Sequence, residues 1–378
     1  MKILFDTNGS VRSLERLMAQ LDADPAVRGL MVLACDANGW TPADIDPLLT
    51  SLSTPVFGGI FPKIIYEADA YNQGVLVVGL TVCPDIQLIP QLSDPSTDYD
   101  AILEAPAEAW AQDLAARSTI MVFVDGLSRR IADLIDALFY AFGLQHHFIG
   151  GGAGSLSFKQ QPCVITPQGV LADCGILVRL TMRSGIGVAH GWQPISEGMK
   201  VTEADRNTII SLDWQPAFEH YRKLVEAHSG WTFTADNFFD IAKCYPFGIN
   251  KLDGEVVVRD PITTDGQQGL VCVGEVPVGS FVFLLNGTSN TLITAAAHAR
   301  YLAWQSAPTE IGHASVTFFI DCISRALFLE GQLGAELATV AATDGRLLGA
   351  MTLGEIASSG RDYPEFYNKT AVVALFSE

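Results

Sequence analysis

The chain has 378 residues, of which 49% are hydrophobic and 17% charged, and its formal net charge at pH 7 is −19. This length favours two domains, and this balance is typical of a well-buried folded protein and excludes extensive disorder. The acidity excludes nucleic acid and an anionic membrane surface as partners, because both are bound through clustered Lys and Arg side chains.

The seven cysteines are scattered along the chain and show no C-x-x-C spacing. This pattern indicates reduced thiols in the cytoplasm, in preference to a disulfide framework or a zinc ribbon. No uninterrupted apolar stretch reaches about 18 residues, the length that predicts a membrane-spanning helix. We therefore expect a cytoplasmic protein without a membrane span.

A strand–helix–strand–hairpin unit occurs three times, beginning at GLMVLACDANG (29–39), TIMVFVDGLS (119–128) and SVTFFIDCIS (315–324). Each copy opens with an apolar run typical of a buried strand, and a later strand carries glycines or a Gly-Glu. Turn residues in DAYNQG (69–74) and TPQG (166–169) indicate hairpins. The pattern predicts an α/β (mixed α+β) fold, with two domains built from duplicated units and mixed sheets covered by helices.

The boundary between the two domains is predicted in GWQPISEGMK (191–200), a locally polar stretch that contains Gly and Pro. An apolar strand, GIGVA (185–189), precedes this stretch, and a second strand that starts with Val-Thr follows it. The prediction is therefore an N-terminal domain of residues 1–195 and a C-terminal domain of residues 196–378.

Asp36, Asp125 and Asp321 end the first strand of the three units, and two interpretations of them remain open. An Asp before a helix commonly caps its N-terminus. Strand ends beside glycine turns also border clefts in open sheets, where carboxylates could bind a metal or act as acid and base. Gly151 and Gly152 likewise predict either a close approach of backbones or the lining of a cleft. Their GGGAGS turn lacks the Lys-Ser/Thr of a phosphate-binding loop.

The segment GIGVAHGWQPISEGMKVTEADRNTIISLDWQPA (185–217) resembles the seam between the two halves of a FIST protein. Further segments resemble the family in the same order: FVDGLS (123–128), FIGGGAG (148–154), YPFGINKLDGEVVVRDPI (245–262), FFIDCISR (318–325), TLGEI (352–356) and YNKTAVV (367–373). The resemblance covers FIST N and FIST C halves and implies a sensory module that binds a small molecule, not an enzyme. It also implies output to a separate signalling protein, such as a histidine kinase or a cyclic-dinucleotide enzyme.

Residues in these family-like motifs are the candidates for a ligand site. They are Cys322, Arg325, Arg259, Glu355 and Asn368, together with Asp125, Gly151 and Gly152. Arg325 is predicted to pair a ligand carboxylate, because a guanidinium presents two donors to two oxygens. The alternative is that Arg325 pairs a carboxylate of the protein.

Two rival functions remain beside the sensor. An enzyme could use Cys322 or the strand-end aspartates, but a nucleophilic cysteine needs a nearby base to form thiolate. The chain could instead be an interaction scaffold, as the resemblance to eukaryotic FIST proteins implies.

The resemblance leaves two kinds of ligand open, a small metabolite such as an amino acid, and haem that binds nitric oxide. For haem, His190 is predicted as the axial metal ligand and Trp192 as a wall of the macrocycle. His146 and His147 are alternatives for the iron. The alternative for His190 is a hydrogen-bonded structural role.

Overall fold

The computed structural model describes residues 1–111, 118–250, 256–308, 316–341, 346–358 and 363–376. The helices are α1 (Val11–Asp22), α2 (Pro42–Ser51), α3 (Tyr99–Ala111), α4 (Ile131–Phe142), α5 (Ala217–Ser229), α6 (Phe238–Ala242), α7 (Ser289–Ser306), α8 (Ile323–Leu329) and α9 (Leu333–Val340). Among the described residues, no helix is both long and apolar enough to cross a membrane.

The strands alternate with these helices along the chain. They are β1 (Lys2–Asp6), β2 (Gly29–Cys35), β3 (Val56–Phe61), β4 (Lys63–Tyr66), β5 (Asp69–Tyr71), β6 (Val75–Leu80), β7 (Asp85–Ile89), β8 (Thr119–Asp125), β9 (His147–Ala153), β10 (Val164–Thr166), β11 (Gly169–Leu171), β12 (Gly175–Leu180), β13 (Ser184–Ala189), β14 (Gln193–Pro194), β15 (Met199–Asp205), β16 (Thr208–Leu212), β17 (Gln215–Pro216), β18 (Phe247–Asn250), β19 (Val256–Thr264), β20 (Leu270–Val273), β21 (Phe281–Asn286), β22 (Val316–Cys322), β23 (Arg346–Thr352), β24 (Glu355–Ser358), β25 (Glu365–Tyr367) and β26 (Ala371–Phe376).

Each of the three repeated units places a fully buried strand at the centre of a mixed sheet. These strands are β2, β8 and β22, and all seven residues of each are buried. Each pairs in parallel with the next strand of its unit and antiparallel with the closing strand. Burial on both faces explains why these strands are continuous apolar runs without polar alternation. The prediction of a mixed α/β fold with mixed sheets is confirmed.

The hairpins of the units are exchanged between sheets in a cycle. The hairpin β4–β5 follows β3 but pairs with β23, and β10–β11 follows β9 but pairs with β3. The hairpin β24–β25 closes the cycle, because it follows β23 and pairs with β9. The sheet orders are β1-β6-β2-β3-β10-β11, β25-β24-β9-β8-β12-β7 and β13-β26-β22-β23-β4-β5. The third unit, from the C-terminal half of the sequence, is therefore interlocked with the first two.

One glycine in each unit makes this exchange sterically feasible. Gly58, Gly150 and Gly349 lie opposite Val32, Val122 and Phe319 in the parallel pairs. A Cβ atom at any of the three would overlap the carbonyl oxygen of that opposite residue. On their other side the same glycines face Ile165, Ile356 and Ile65 of the exchanged hairpins. The backbone approach is thus the same in all three units, which fixes their structural alignment.

This alignment corrects the predicted equivalence of the three aspartates. Each strand ends three residues after the residue that lies opposite its glycine, which is Val32, Val122 or Phe319. The strand ends are Cys35, Asp125 and Cys322, and these are the structurally equivalent positions. Asp36 follows its strand end and Asp321 precedes its own. A match between sequence motifs does not detect a shift of one residue, whereas strand register does.

The fourth sheet lies in the C-terminal half and has the order β14-β21-β15-β16-β20-β19-β18. Its core contains Tyr221 of α5, which is fully buried beside Phe247 of β18, with ring centroids 5.3 Å apart. Strand β14 precedes the predicted boundary at 195/196 but pairs with β21 beyond it. That boundary stays a prediction, and sheets combine strands from both sides of it.

We expect Gly150→Ala to destabilise the protein by about 1–3 kcal/mol or more, because the added methyl overlaps backbone that cannot move without parting β8 from β9. The matched control is Gly334→Ala on the exposed face of α9, where a Cβ meets nothing within 4 Å. That change should be neutral or stabilise by up to about 1 kcal/mol, because alanine has a higher helix propensity than glycine. Urea unfolding measures both, and equal effects would contradict this account of Gly150.

Candidate ligand-binding site

A small cavity of about 60 Å³ lies where the third unit meets the fourth sheet. Its walls are mainly apolar and include Leu127, Phe239, Ile262, Val273, Leu327 and Leu353. Four polar side chains also line it: Asp260 of β19, Cys322 at the end of β22, Ser324 of α8 and Asn368 after β25. Apolar walls with a few convergent polar groups are typical of ligand sites.

Asp260 is 1% exposed and belongs to a buried ion pair. Its Oδ2 lies 3.1 Å from Lys369 Nζ and accepts a hydrogen bond of 3.0 Å from Ser324 Oγ. Its Oδ1 has no hydrogen-bond partner among the described residues. Burial raises the pKa of this carboxyl, and the ammonium of Lys369 opposes that rise. A buried oxygen without a partner is costly, so a hydrogen-bond donor in the cavity would stabilise it.

Asn368 presents a second buried oxygen of this kind. Its Nδ2 donates to the carbonyl oxygen of Tyr367 at 2.9 Å, whereas its Oδ1 has no partner among the described residues. The following residue, Lys369, is fully buried and has a left-handed φ of 51°. Non-glycine residues rarely adopt this conformation, which is commonly found at functional sites. The turn 368–369 thus holds both a strained backbone and an unpaired acceptor at the cavity wall.

Cys322 and Glu355 form a buried pair beside the cavity. The Glu355 carboxylate accepts hydrogen bonds from Cys322, from Thr352 Oγ1 at 3.1 Å and from Thr370 N at 3.3 Å. Burial raises the pKa of Glu355 to about 8. Burial, followed by the charge of Glu355, raises the pKa of the Cys322 thiol well above its usual range. The thiol is therefore held protonated, unlike a cysteine nucleophile.

A wider cleft of about 510 Å³ borders the cavity and shares four wall residues with it, Gly126, Leu127, Ile262 and Val273. Arg259 lies at this cleft, and its donors are used within the protein. It pairs with Glu365 at 3.1 Å and donates to the carbonyl oxygens of Glu275 and Phe366, each at 2.9 Å.

The structure places Arg325 in a buried cluster away from the cavity wall. The guanidinium forms ion pairs with Asp321 and Glu336, and all three side chains are fully buried. It also donates to the carbonyl oxygens of His190 at 2.7 Å and Leu292 at 3.0 Å. Burial and the neighbouring Glu336 raise the pKa of Asp321 well above its usual range. These contacts favour the pairing of Arg325 with protein carboxylates.

The surroundings of His190 do not fit an axial haem ligand. Its Nδ1 accepts a hydrogen bond of 3.0 Å from the backbone N–H of Trp192, so the proton of the neutral ring lies on Nε2. An axial nitrogen must offer a free lone pair. Burial, with a smaller contribution from Arg325, lowers the pKa of His190 to about 4. Trp192 is 1% exposed and packs against Phe328 and Lys369, so its ring cannot stack on a macrocycle.

His190 instead borders an open groove of about 600 Å³, which also contains His298 of α7. The alternatives for the iron, His146 and His147, are buried at the start of β9, where His146 Nδ1 shares a hydrogen bond of 2.8 Å with Ser118. Among the described residues, no three His, Cys, Asp or Glu side chains gather in a way that could hold a metal ion.

Asp36 and Asp125 anchor one loop and do not cap helices. The loop consists of residues 154–161 and is called the cover loop below. Ser155 and Gln161 donate to Asp36 at 2.6 and 2.8 Å, and Gln160 donates to Asp125 at 2.9 Å. The capping interpretation is wrong for Asp125, because α4 begins only at Ile131. Asp125 instead accepts the backbone N–H of Leu127 and of Asp173.

The cover loop also reaches the cavity, because Leu156 and Phe158 line it. These side chains are 38% and 51% exposed. The strand ends of all three units thus meet around one loop, although their carboxylates do not form a common site. Gly151 and Gly152 lie in β9 against the turn at Leu353 and Gly354, where an added Cβ would meet carbonyl oxygens. This supports the close-approach interpretation of these two glycines.

The structure brings together Cys322, Glu355 and Asn368, and it adds three residues that the sequence interpretation missed: Asp260, Ser324 and Lys369. All three lie inside motifs already noted, RDPI, FFIDCIS and YNKTAVV. The sequence did contain a signal for Asp260. This charged residue lies in a strand without alternating polar and apolar residues, so no solvent-facing side is predicted for its charge. Its partner Lys369 is more than one hundred residues away in sequence, so only the fold shows the pair.

Comparison with family models gives two consecutive matches. The FIST N domain model matches residues 30–215, and the FIST C domain model matches residues 217–358. The chain belongs to the FIST family. FIST domains are regarded as signalling domains that sense small ligands, and they are not known as enzymes. The models divide the chain between residues 215 and 217, which lies beyond the predicted boundary at 195/196.

Other comparisons add little to the family assignment. A search of curated proteins gave no match. Among solved structures, cyanuric acid hydrolase from A. caulinodans is 13% identical to this FIST protein. The similarity covers 78% of this chain and 99% of that one, with a TM-score of 0.18. A score this low carries no argument about fold or activity.

We expect Arg325→Met to destabilise this FIST protein by about 3–5 kcal/mol, because it leaves Asp321 and Glu336 buried without their cation. The control is Lys223→Met, which removes an exposed ion pair with Glu219 on α5 and should cost at most about 1 kcal/mol. Thermal unfolding distinguishes the two. A variant at 325 that keeps the wild-type melting temperature but loses a ligand would restore the ligand-pairing role.

We expect Glu355→Gln to stabilise the protein more at pH 8.5 than at pH 5.5. The folded-state pKa of Glu355 is raised from 4.5 to about 8, so the folded state binds the proton more tightly than the unfolded state. The stability from this group is present below about pH 4.5 and is lost as the pH rises to about 8. Glutamine does not titrate and retains the shape of the protonated acid. Melting temperatures across this range test the point, and Glu104→Gln on the exposed face of α3 should leave the pH profile unchanged.

Proposed function

We propose that this FIST protein is a cytoplasmic sensor that binds a small metabolite in the cavity and the adjoining cleft. The observation that carries the proposal is the pair of unpartnered oxygens, Asp260 Oδ1 and Asn368 Oδ1, on two residues that line a mainly apolar cavity. Each lies on a side chain that is 1% exposed. Buried polar groups are normally satisfied, so exceptions that converge on one cavity favour a ligand.

The electrostatics of the site favour binding over catalysis. A cysteine nucleophile depends on a lowered thiol pKa and a neighbouring base. The pKa of Cys322 is instead raised well above its usual range by burial. Its neighbour Glu355 is a carboxyl whose pKa, about 8, keeps it largely protonated at neutral pH. These two groups suit a binding wall, and the enzyme alternative has no comparable support.

The cover loop is the element through which we propose that ligand binding changes the surface. It lines the cavity with Leu156 and Phe158, whose side chains are partly exposed. It is attached to the first and second units through hydrogen bonds to Asp36 and Asp125. A ligand that binds better to one position of the loop shifts the population toward it, which a partner can detect.

The partner in this proposal is a separate signalling protein, such as a histidine kinase or a cyclic-dinucleotide enzyme. The family assignment supports a signalling role in general terms. All seven cysteines are free thiols, and the exposed Cys83 is among them, which is consistent with a reducing compartment.

We expect Ile262→Trp to abolish ligand-induced thermal stabilisation, because residue 262 lines both the cavity and the cleft and a larger ring would fill space in each. The matched control is Thr263→Trp, at the adjacent, exposed position of β19, which lines neither the cavity nor the cleft. A metabolite panel is first screened with the wild type by thermal shift, and its positives are then titrated calorimetrically against both variants. Ligands that bind Ile262→Trp and wild type equally would place the site elsewhere and refute the proposal.

A further inference from the structure

Two side-chain oxygens at the residues that line the cavity are acceptors without a partner. Asp260 Oδ1 and Asn368 Oδ1 have no partner among the described residues. The hydroxyl of Ser324 already donates to Asp260, and the thiol of Cys322 is hydrogen-bonded to Glu355. A ligand group that fits this wall must therefore donate hydrogen bonds. A carboxylate or phosphate, which only accepts, would leave both oxygens unsatisfied.

The nearest cation is also fully engaged. Lys369 Nζ donates to the carbonyl oxygen of Lys243 at 2.9 Å and pairs with Asp260 Oδ2 at 3.1 Å. It also lies 5.2 Å from the centroid of the Trp192 ring. These contacts leave this ammonium without a free direction toward a ligand anion.

Asp260 lies near a group of fully buried charged side chains. These are the cations Arg325 and Lys369 and the carboxyls of Asp321, Glu336 and Glu355. Arg325 contacts the first two of these carboxyls, and Lys369 contacts Asp260. Glu355 needs no cation, because a pKa of about 8 keeps it largely protonated at neutral pH. Of the four carboxyls, Asp260 is the one that lines the cavity, where a ligand cation could approach it.

The dimensions limit the group that can enter. A cavity of about 60 Å³ holds only a few non-hydrogen atoms, since one water molecule needs about 10–15 Å³ of such space. The cleft of about 510 Å³ shares its walls with the cavity and could hold the rest of a slim molecule. The walls common to both are Gly126 and the apolar side chains of Leu127, Ile262 and Val273.

We infer that the ligand is a small primary amine whose ammonium group enters the cavity and donates hydrogen bonds to Asp260 Oδ1 and Asn368 Oδ1. Its carbon chain passes Leu127 and Ile262 into the cleft. This inference rests on the proposed function and specifies the ligand of that site. The inferred ligand group is positively charged, opposite to the carboxylate that was predicted to pair with Arg325, because the unpaired groups at the wall are hydrogen-bond acceptors.

The test uses the full chain and three probes of equal length: butylammonium, butyramide and butyrate. Calorimetric titration of the wild type should give binding of butylammonium, weaker binding of butyramide and no binding of butyrate. Asp260→Asn should weaken butylammonium binding by about tenfold or more, because it removes the charge of the acceptor. The control is Asp265→Asn, an exposed position of the same strand region, which should leave binding unchanged.

A second variant keeps the test informative if Asp260→Asn does not fold because Lys369 has lost its charged partner. Asn368→Asp adds negative charge at the other free oxygen and should tighten butylammonium binding by about tenfold, with little effect on butyramide. A gain of affinity cannot arise from damage to the fold.

Two results would overturn the inference. One is butyrate binding as strong as butylammonium binding, and the other is the absence of butylammonium binding to folded wild type. The proposed function is tested separately by the metabolite panel with Ile262→Trp. If panel ligands bind the wild type but not that variant, the proposed sensor function is retained with a different class of ligand. If none depends on residue 262, the proposed function fails as well.

Discussion

The buried guanidinium of Arg325 is the contact on which the arrangement around the site depends. It pairs with Asp321 in the central strand of the third unit and with Glu336 in α9. It also binds the backbone at His190 and Leu292, and lies 3.4 Å from the carbonyl oxygen of Lys369. One side chain thus joins the seam after β13, helix α7, helix α9 and the turn that forms the cavity wall. An arginine can do this because its planar group presents five donors in fixed directions.

The exchange of hairpins explains why a site lies beside the third unit. The hairpin of each unit pairs with the sheet of another unit, so the turn between β23 and β24 must pass over the end of β9. That turn carries Leu353 and Gly354, which line the cavity. The glycine strand β9 and the cover loop that follows it are therefore adjacent to the third unit by topology. The cavity combines residues from both halves of the sequence.

The charges at this site fit neither a ligand carboxylate paired with an arginine nor a cysteine nucleophile, which are the two roles first considered for its residues. Arg325 and Arg259 were the arginines predicted for the ligand site, and Arg325 is paired with two protein carboxylates and Arg259 with one. Cys322 is a thiol held neutral by burial. Asp260 and Asn368 line the cavity, and each has a side-chain oxygen without a partner among the described residues. Desolvated acceptors of this kind select against anions, since binding an anion would add repulsion to the loss of hydration.

The sequence by itself determined the mixed α/β class, the three repeated units and the family, because apolar runs, turn residues and motif order are local properties. It also indicated Cys322, Glu355 and Asn368, which lie together in the structure. It could not show that Arg325 is saturated or that Asp125 holds a loop, because both depend on partners from distant segments. The pairing of Asp260 with Lys369, the exchange of hairpins and the shift between Asp321 and Cys322 were decided only by the tertiary structure. Strand register and long-range burial set these features, and neither is encoded in the spacing of residues along one segment.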